Sequence, residues 1–241
     1  ILGRSTWASR VFGTQAPDTG NAEIIAHYGT QAQKERYLQP LLNGEIISCY
    51  SMTEPQAGSD PGQFTCRAWR EGDEWVINGE KYFSSHADFA EFLIVMAITD
   101  TAVPVHQGAT MFLVPRDTPG IEILRNVGLM HESLDEPGSH GWVRYNNVRL
   151  PADAVLGEPG NAFELAQKRL GGGRIHHAMR TVAYCKSALD MLCERALSRY
   201  TQGSLLAEKQ TIQNYIADSF IQLEQFRLLV LYAAWWCDKG D

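Results

Sequence analysis

Two periodicities share this chain, and the point where one gives way to the other limits the possible folds more than any other feature. Between residues 46 and 155 the apolar residues fall in short runs (46–52, 74–77, 92–98, 110–114 and 142–148), with the lengths and side chains of β-strands. Turn residues separate them, notably Asn78-Gly79, which predicts a hairpin reversal, and Thr118-Pro119-Gly120. After Pro151 the pattern becomes helical over 161–170, 174–200 and 208–237, the last two long enough to cross a domain. Leu189, Leu192, Cys193 and Ala196 form an apolar stripe at helical spacing, as do Ile212, Tyr215, Ile216, Phe220, Leu223 and Phe226. Before residue 46, Asn21-Ala22-Glu23 predicts a cap for 24–28, and Thr30 a cap for a helix over 31–42 that Gly44 stops. The chain therefore reads as α+β in three parts: 1–45, the end of a helical domain; 46–155, a small β domain of barrel or sandwich type; and 156–241, antiparallel helices.

Charge narrows the partners. A net charge of −7 over 241 residues, with no dense Lys/Arg block, argues against nucleic acid or an anionic membrane surface. A phosphate-bearing ligand would have to be held by local donors. The five cysteines lack CxxC spacing and fit neither a disulfide framework nor a zinc site. His176 and His177 are adjacent on a helix, about 100° apart, so they cannot face one metal. Residues 131–140 hold several acids without ligand spacing and read as a solvated loop near an active-site mouth; no metal is expected. The longest apolar stretch, 228–237, is too short to span a bilayer. The chain opens Ile1-Leu2-Gly3 and closes just after a strong helix, so both ends look cut.

Four segments carry chemistry. In Tyr50-Ser51-Met52-Thr53-Glu54-Pro55-Gln56-Ala57-Gly58-Ser59-Asp60, a strand passes through Pro and Gly into an irregular loop. Such a loop can turn backbone N–H groups and the Thr53 and Ser59 hydroxyls toward one ligand. Read in isolation it could equally be a solvent loop. Gly79-Glu80-Lys81-Tyr82-Phe83-Ser84-Ser85 sets aromatics beside hydroxyls; alone these would be hairpin core. Leu170-Gly171-Gly172-Gly173-Arg174 is read as open glycine backbone at the start of a long helix, a combination that suits an anion, although GGG alone is a weak signal. Arg199-Tyr200-Thr201-Gln202-Gly203, followed by Lys209-Gln210, would by itself be a helix end with an exposed Arg.

The run from Thr53 to Asp60 resembles the Thr-Glu-Pro-x-Ala-Gly-Ser-Asp signature of the acyl-CoA dehydrogenases at every fixed position. The resemblance implies that family's fold, in which 156–241 begins a helical bundle, and flavin adenine dinucleotide (FAD) as cofactor. It implies cofactor contacts at Tyr50, Ser51, Met52, Thr53 and Ser59, with Met52 and Thr53 donating to the pyrimidine edge of the flavin. Phe83, Ser84 and Ser85 match the family strand whose aromatic covers a flavin face and whose hydroxyl reaches ring N5. Phe and Ser stand where Trp and Thr are usual. Arg199, Thr201 and Gln210 match residues that clasp the adenine and pyrophosphate end of FAD in a neighbouring subunit, which implies a homodimer or homotetramer. Gln202 replaces an aromatic there. Substrate contacts are implied at Ser59, Gly171, Gly172, Gly173 and Arg174.

The implied reaction is α,β-dehydrogenation of an acyl-CoA thioester to a trans-2-enoyl-CoA, as in fatty acid β-oxidation, with electrons passed to an electron-transfer flavoprotein. Its carboxylate base is expected beyond Asp241, so these 241 residues alone are expected to be inactive. An acyl-CoA oxidase or flavin monooxygenase on the same fold, and a non-catalytic binding module, are the alternatives. Residues 16–21, with Gly173-Arg174-Ile175-His176-His177 and Met179-Arg180, look like the subgroup related to animal acyl-CoA dehydrogenases fused to a kinase-like domain. Nothing in the chain resembles the kinase part. The resemblance implies a cytoplasmic location in a bacterium, and a mitochondrial or peroxisomal one in a eukaryote.

Overall fold

A computed structural model describes residues 2–5, 7–129 and 140–240. The chain forms two compact units, one of residues 13–170 and one of residues 1–12 with 171–241. A short helix α1 (Ala8–Val11) belongs to the second unit.

The first unit opens with α2 (Asp18–Tyr28), then α3 (Gln31–Gln33), a π-helical turn (Lys34–Leu38) and α4 (Gln39–Leu42). Thr30 caps α3 as expected: its hydroxyl accepts from the Gln33 amide, while the Gln33 side chain accepts from the Thr30 amide. Asn21 does not start a helix. It lies one turn inside α2, fully buried, because its amide is used sideways: Nδ2 donates to Ser48 Oγ at 2.9 Å.

The strands are β1 (Ser48–Ser51), β2 (Arg67–Glu71), β3 (Glu74–Ser85), β4 (Phe92–Ile98), β5 (Ala109–Pro115), β6 (Ile121–Asn126), β7 (His140–Pro151) and β8 (Val155–Leu156). A small helix α5 (Val105–Gly108) precedes β5. The order across the sheet is β6-β7-β3-β1-β4-β5-β8, with β1 parallel to β4 and antiparallel to β3. β2 also bonds to both β3 and β4, so β3, β1, β4 and β2 close on one another. This mixed sheet followed by helices is the α+β arrangement expected. β4 is buried along its whole length. Phe92, Ile94 and Met96 face a core shared with α2, α4 and the start of the long helix, while Leu93, Val95 and Ala97 face a second core with Ile77, Val143, Tyr145 and Val148.

Asn78-Gly79 is not a hairpin turn. The reversal lies at Gly72-Asp73, between paired Glu71 and Glu74, and residues 78–79 sit mid-strand at a register shift. Gly79 has φ +146°, and a Cβ there would stand 2.6 Å from Cys66 Cα. The glycine is needed for a close approach of two strands, not for a turn. β2 and β6 escaped the sequence reading because β2 is polar, with only Ala68 buried, and β6 is a mostly half-exposed strand at the sheet's end.

The helix α6 (Ala162–Ser198) is continuous over 37 residues, which overturns a helix N-terminus at Gly171–Gly173. Three glycines in a helix lose about 1 kcal/mol each against alanine, too little to break a helix this long. In the second unit α6 is followed by a two-residue hairpin, β9 (Tyr200–Thr201) and β10 (Ser204–Leu205), and by α7 (Gln210–Lys239). Gln202 and Gly203, with φ of +50° and +82°, form the hairpin turn where a plain helix end was expected. Of the α7 stripe, Leu223 is buried but Tyr215 and Phe220 are exposed. Trp235 and Trp236 are also exposed, beside Tyr232. All five cysteines are free thiols.

Candidate functional site

The loop that leaves β1 is organised by two buried charges. Glu54 turns inward, where Oε1 lies 2.8 Å from Lys81 Nζ and both side chains are wholly shielded from solvent. Its carboxylate also accepts from the amides of Thr65 (2.6 Å) and Cys66 (3.1 Å), the Thr65 hydroxyl (3.0 Å) and Gln56 Nε2 (2.7 Å). Burial pushes this carboxyl's pKa up, but the Lys81 charge and the hydrogen bonds from Lys81, Thr65 and Cys66 outweigh it and hold it below the usual value. A buried ion pair survives only when its remaining lone pairs and protons are satisfied; here they are.

Lys81 does a second thing. Its Nζ donates to the Met52 carbonyl at 2.8 Å and lies 4.5 Å from the Phe64 ring centroid. A trans peptide plane points its C=O and N–H in opposite directions. Holding the Met52 carbonyl inward therefore turns the Thr53 N–H outward. The Thr53 carbonyl is itself held by the Tyr82 amide at 2.7 Å. Thr53 is half-buried, and its hydroxyl has no hydrogen-bond partner among the described residues. The loop then folds back through paired Glu54 and Ala57, leaves Ser59 exposed, and is tied off by Asp60, whose Oδ1 accepts from the Gly62 amide at 2.9 Å.

β3 supplies the neighbouring wall. Strict alternation would put Lys81 and Ser84 on opposite faces, yet both are buried; a bulge between them reconciles this. The residue it displaces is Phe83, left exposed with φ +54°. A bulky residue in the left-handed region is strained by about 1–3 kcal/mol, and such strain gathers at functional sites. Ser85 is half-buried, its Oγ 2.8 Å from His140 Nδ1. Of residues 131–140, only His140 lies within the described residues.

The other expected contacts differ in kind. Ser51 and Ser84 bury their hydroxyls against each other at 2.8 Å, and Ser51 meets the Tyr145 hydroxyl at 2.7 Å. These two serines can offer a ligand only backbone. Burial raises the Tyr145 phenol well above its ordinary pKa, keeping it a neutral partner. Tyr50 packs its ring beneath the Arg169 guanidinium and points its hydroxyl at Met52 Sδ, 3.4 Å away. Burial, partly opposed by Arg169, pushes its pKa up to about 12. In the helical unit, Gly171 and Gly173 have nothing within 4 Å of where a Cβ would stand, so packing does not require either glycine. Arg199 and Gln210 are exposed and Thr201 is half-buried on the hairpin between α6 and α7. The sequence reading had not assigned roles to Lys81, Tyr145, His140 and Arg169. Lys81 stood inside a quoted motif, whereas the others carry no local signal.

Comparison with known proteins shows which family the chain belongs to. Residues 49–137 match the acyl-CoA dehydrogenase middle domain, and residues 160–241 the acyl-CoA dehydrogenase C-terminal domain. The chain belongs to the acyl-CoA dehydrogenase family. It is 45% identical over 237 residues to mouse acyl-CoA dehydrogenase family member 10, covering 97% of this chain and 22% of that protein. A solved chain from Mycobacterium abscessus, itself assigned to the acyl-CoA dehydrogenases, is 46% identical with a TM-score of 0.90, over 97% of this chain and 58% of that one. A glutaryl-CoA dehydrogenase from Mycobacterium smegmatis, solved with FADH2, is 29% identical with a TM-score of 0.75, over 88% of this chain and 52% of that one. The chain thus spans little more than half the length of these solved relatives and a smaller share of the mouse protein. The family is FAD-dependent. The acyl-CoA dehydrogenase loop here fits that cofactor in its chemistry: an outward N–H, an unpartnered hydroxyl and an exposed aromatic suit a flat, polar-edged ring. Among the described residues no cluster of metal-ligating side chains occurs, and no helix is long and apolar enough to cross a membrane.

Proposed function

We propose that the protein carrying this chain binds FAD and uses it to convert an acyl-CoA thioester to a trans-2-enoyl-CoA. The observation that carries the reading is the pair of donors at Thr53, the N–H turned outward by the Lys81 hold on Met52 and the unpartnered hydroxyl. When bound, FAD supplies a two-electron acceptor at ring N5. The Thr53 donors would meet the edge of the ring where negative charge collects, in a geometry set before the cofactor arrives, which is the economy of an oxyanion hole. Phe83 would cover one face of the ring. Ser85, oriented by His140, would hold a hydroxyl toward N5. Ser59 would serve the phosphates and the thioester.

Gly171 to Arg174 would meet the acyl-CoA. Glycines that packing does not require are understandable where a ligand must approach the helix backbone. Arg199, Thr201 and Gln210 would serve the FAD of a neighbouring subunit. The electrons would pass to an electron-transfer flavoprotein, since reduced flavin needs an acceptor to turn over. Glu54 cannot be the base that takes the α-proton, because its carboxylate is engaged by five donors.

The test is anaerobic titration of the FAD-loaded full-length protein with saturated acyl-CoAs of graded length, read by flavin absorbance. Bleaching by at least one is the expected result. A flavin that dithionite reduces but that no acyl-CoA bleaches would overturn the proposal.

A further inference from the structure

Ser85 and His140 face each other across the sheet. They are register partners of β3 and β7, and on its other side Ser85 pairs with Tyr50 of β1. The His140 backbone is held as well: its carbonyl accepts from the Val127 amide at 2.8 Å, and its own amide donates to Asn126 Oδ1 at 3.4 Å. Between these two fixed backbones the side chains meet, Ser85 Oγ lying 2.8 Å from His140 Nδ1. Directly opposed strand residues are the closest side-chain neighbours a sheet offers. Ser85 Oγ has no other hydrogen-bond partner among the described residues.

A hydroxyl has one hydrogen and two lone pairs, so what Ser85 can offer a ligand depends on which way its bond to His140 runs. A backbone carbonyl in place of Nδ1 would always take the hydrogen, and an amide N–H would always leave it free. A neutral imidazole does either, according to which ring nitrogen carries the proton. With Nδ1–H donating to Oγ, the Ser85 hydrogen is available to an acceptor. With Nδ1 bare, Ser85 donates to it and turns a lone pair toward a donor. Both forms are called for beside a flavin, whose N5 holds a lone pair when oxidised and a hydrogen after hydride transfer.

Resting on the function proposed above, we infer that His140 is a positioning residue whose ring tautomer reverses the Ser85 hydrogen bond between the oxidised and reduced states of the flavin. In the oxidised state Nδ1 holds the proton and Ser85 donates to N5. In the reduced state Nε2 holds it, and Ser85 accepts from N5–H while donating to Nδ1. The reversal moves one proton from Nδ1 to Nε2 by way of water and leaves the imidazole neutral. It neither supplies nor consumes electrons, because the hydride passes from the Cβ–H bond of the acyl-CoA to N5. A serine with a partner of fixed direction would suit one state and oppose two hydrogens, or two lone pairs, in the other.

The experiment is redox difference infrared spectroscopy of the FAD-loaded full-length protein, oxidised and then reduced with dithionite, with and without isotope in the histidine rings. The expected result is a pair of isotope-sensitive imidazole bands that exchange on reduction, one from the Nδ1–H tautomer and one from the Nε2–H tautomer. The pair should vanish in His140→Gln and in Ser85→Ala. Absence of such a pair from the native protein would overturn the inference without any variant. So would a pair that persists in Ser85→Ala, since that marks a histidine answering to flavin charge alone. His140→Leu should also change the equilibrium constant for two-electron reduction about tenfold, equivalent to about 30 mV, and change nothing once Ser85→Ala is present; an equal shift in both backgrounds would refute the action through Ser85. Dithionite reduces flavin without substrate, so the two readings fail separately. If an acyl-CoA bleaches the flavin and the imidazole bands stay still, only this inference has failed. If the bands exchange with dithionite but no acyl-CoA bleaches the flavin, the proposed function has failed.

Discussion

Replacing Lys81 by methionine keeps the length of the side chain and removes its charge from a site wholly shielded from solvent. Two groups are then stranded. Glu54 loses its counter-ion, and the Met52 carbonyl loses its donor. Breaking a buried pair from one side typically destabilises by about 3–5 kcal/mol. With a urea slope of about 2 kcal/mol/M, the unfolding midpoint should fall by about 1.5–2.5 M. The direction with pH follows from Glu54. In the native protein its folded pKa lies below the unfolded value of about 4.5. The pair's contribution is therefore complete above that value and is lost as pH falls through the folded pKa. In Lys81→Met both contributions of Lys81 that lower the pKa are gone, so the carboxyl is easier to protonate in the folded state than in the native protein. The gap between variant and native protein should then narrow as pH falls from 7 toward 4. Glu54→Gln added to Lys81→Met should recover part of the loss, because an amide is neutral. Freed of Lys81, the Met52–Thr53 peptide can rotate, so flavin retention should fall as well. Urea titrations followed by circular dichroism at several pH values, with flavin content from absorbance, test all of this. A loss under about 1 kcal/mol, or a gap that does not change with pH, would refute the buried-pair account.

Gly79→Ala should destabilise by about 3 kcal/mol through backbone strain and the clash with Cys66; a denaturation midpoint equal to the native one would count against the close approach. Gly171→Ala and Gly173→Ala should each stabilise α6 by about 1 kcal/mol, since nothing lies within 4 Å of the added carbon. Both should weaken acyl-CoA binding, and a thermal melt paired with a ligand titration decides it: higher stability with unchanged affinity would remove the ligand explanation for these glycines. Thr53→Val should reduce flavin retention and lower the reduction potential by about 30–60 mV, the equivalent of one charge-assisted hydrogen bond. A redox titration showing an unchanged potential would refute the role given to the hydroxyl.

The family and its α+β layout were legible in the amino-acid order alone, because the Thr53–Asp60 signature and the switch of periodicity near residue 155 are local patterns that need no partner. So was the Thr30 cap, whose donors and acceptors lie within three residues of each other. The glycines were misread for the opposite reason. Gly79 is explained by Cys66 across the sheet, and Gly171–Gly173 stay helical because they lie within a helix of 37 residues.

Glu54 shows the same division inside the site. Its place in the motif was plain, but that it faces inward, paired with a lysine 27 residues away, was not. Arg169 meets Asn21 across 148 residues of chain, and neither residue's own neighbourhood hints at the other. The sequence by itself determined the switch from strands to helices and the Thr30 cap, since hydrogen bonding and burial periodicity act over a few residues, while the polar β2 and half-exposed β6 carry no such signal. Only the tertiary structure decided which polar groups are held inward and which are left free to meet a ligand. That depends on which distant side chains supply counter-charges and donors once water is excluded.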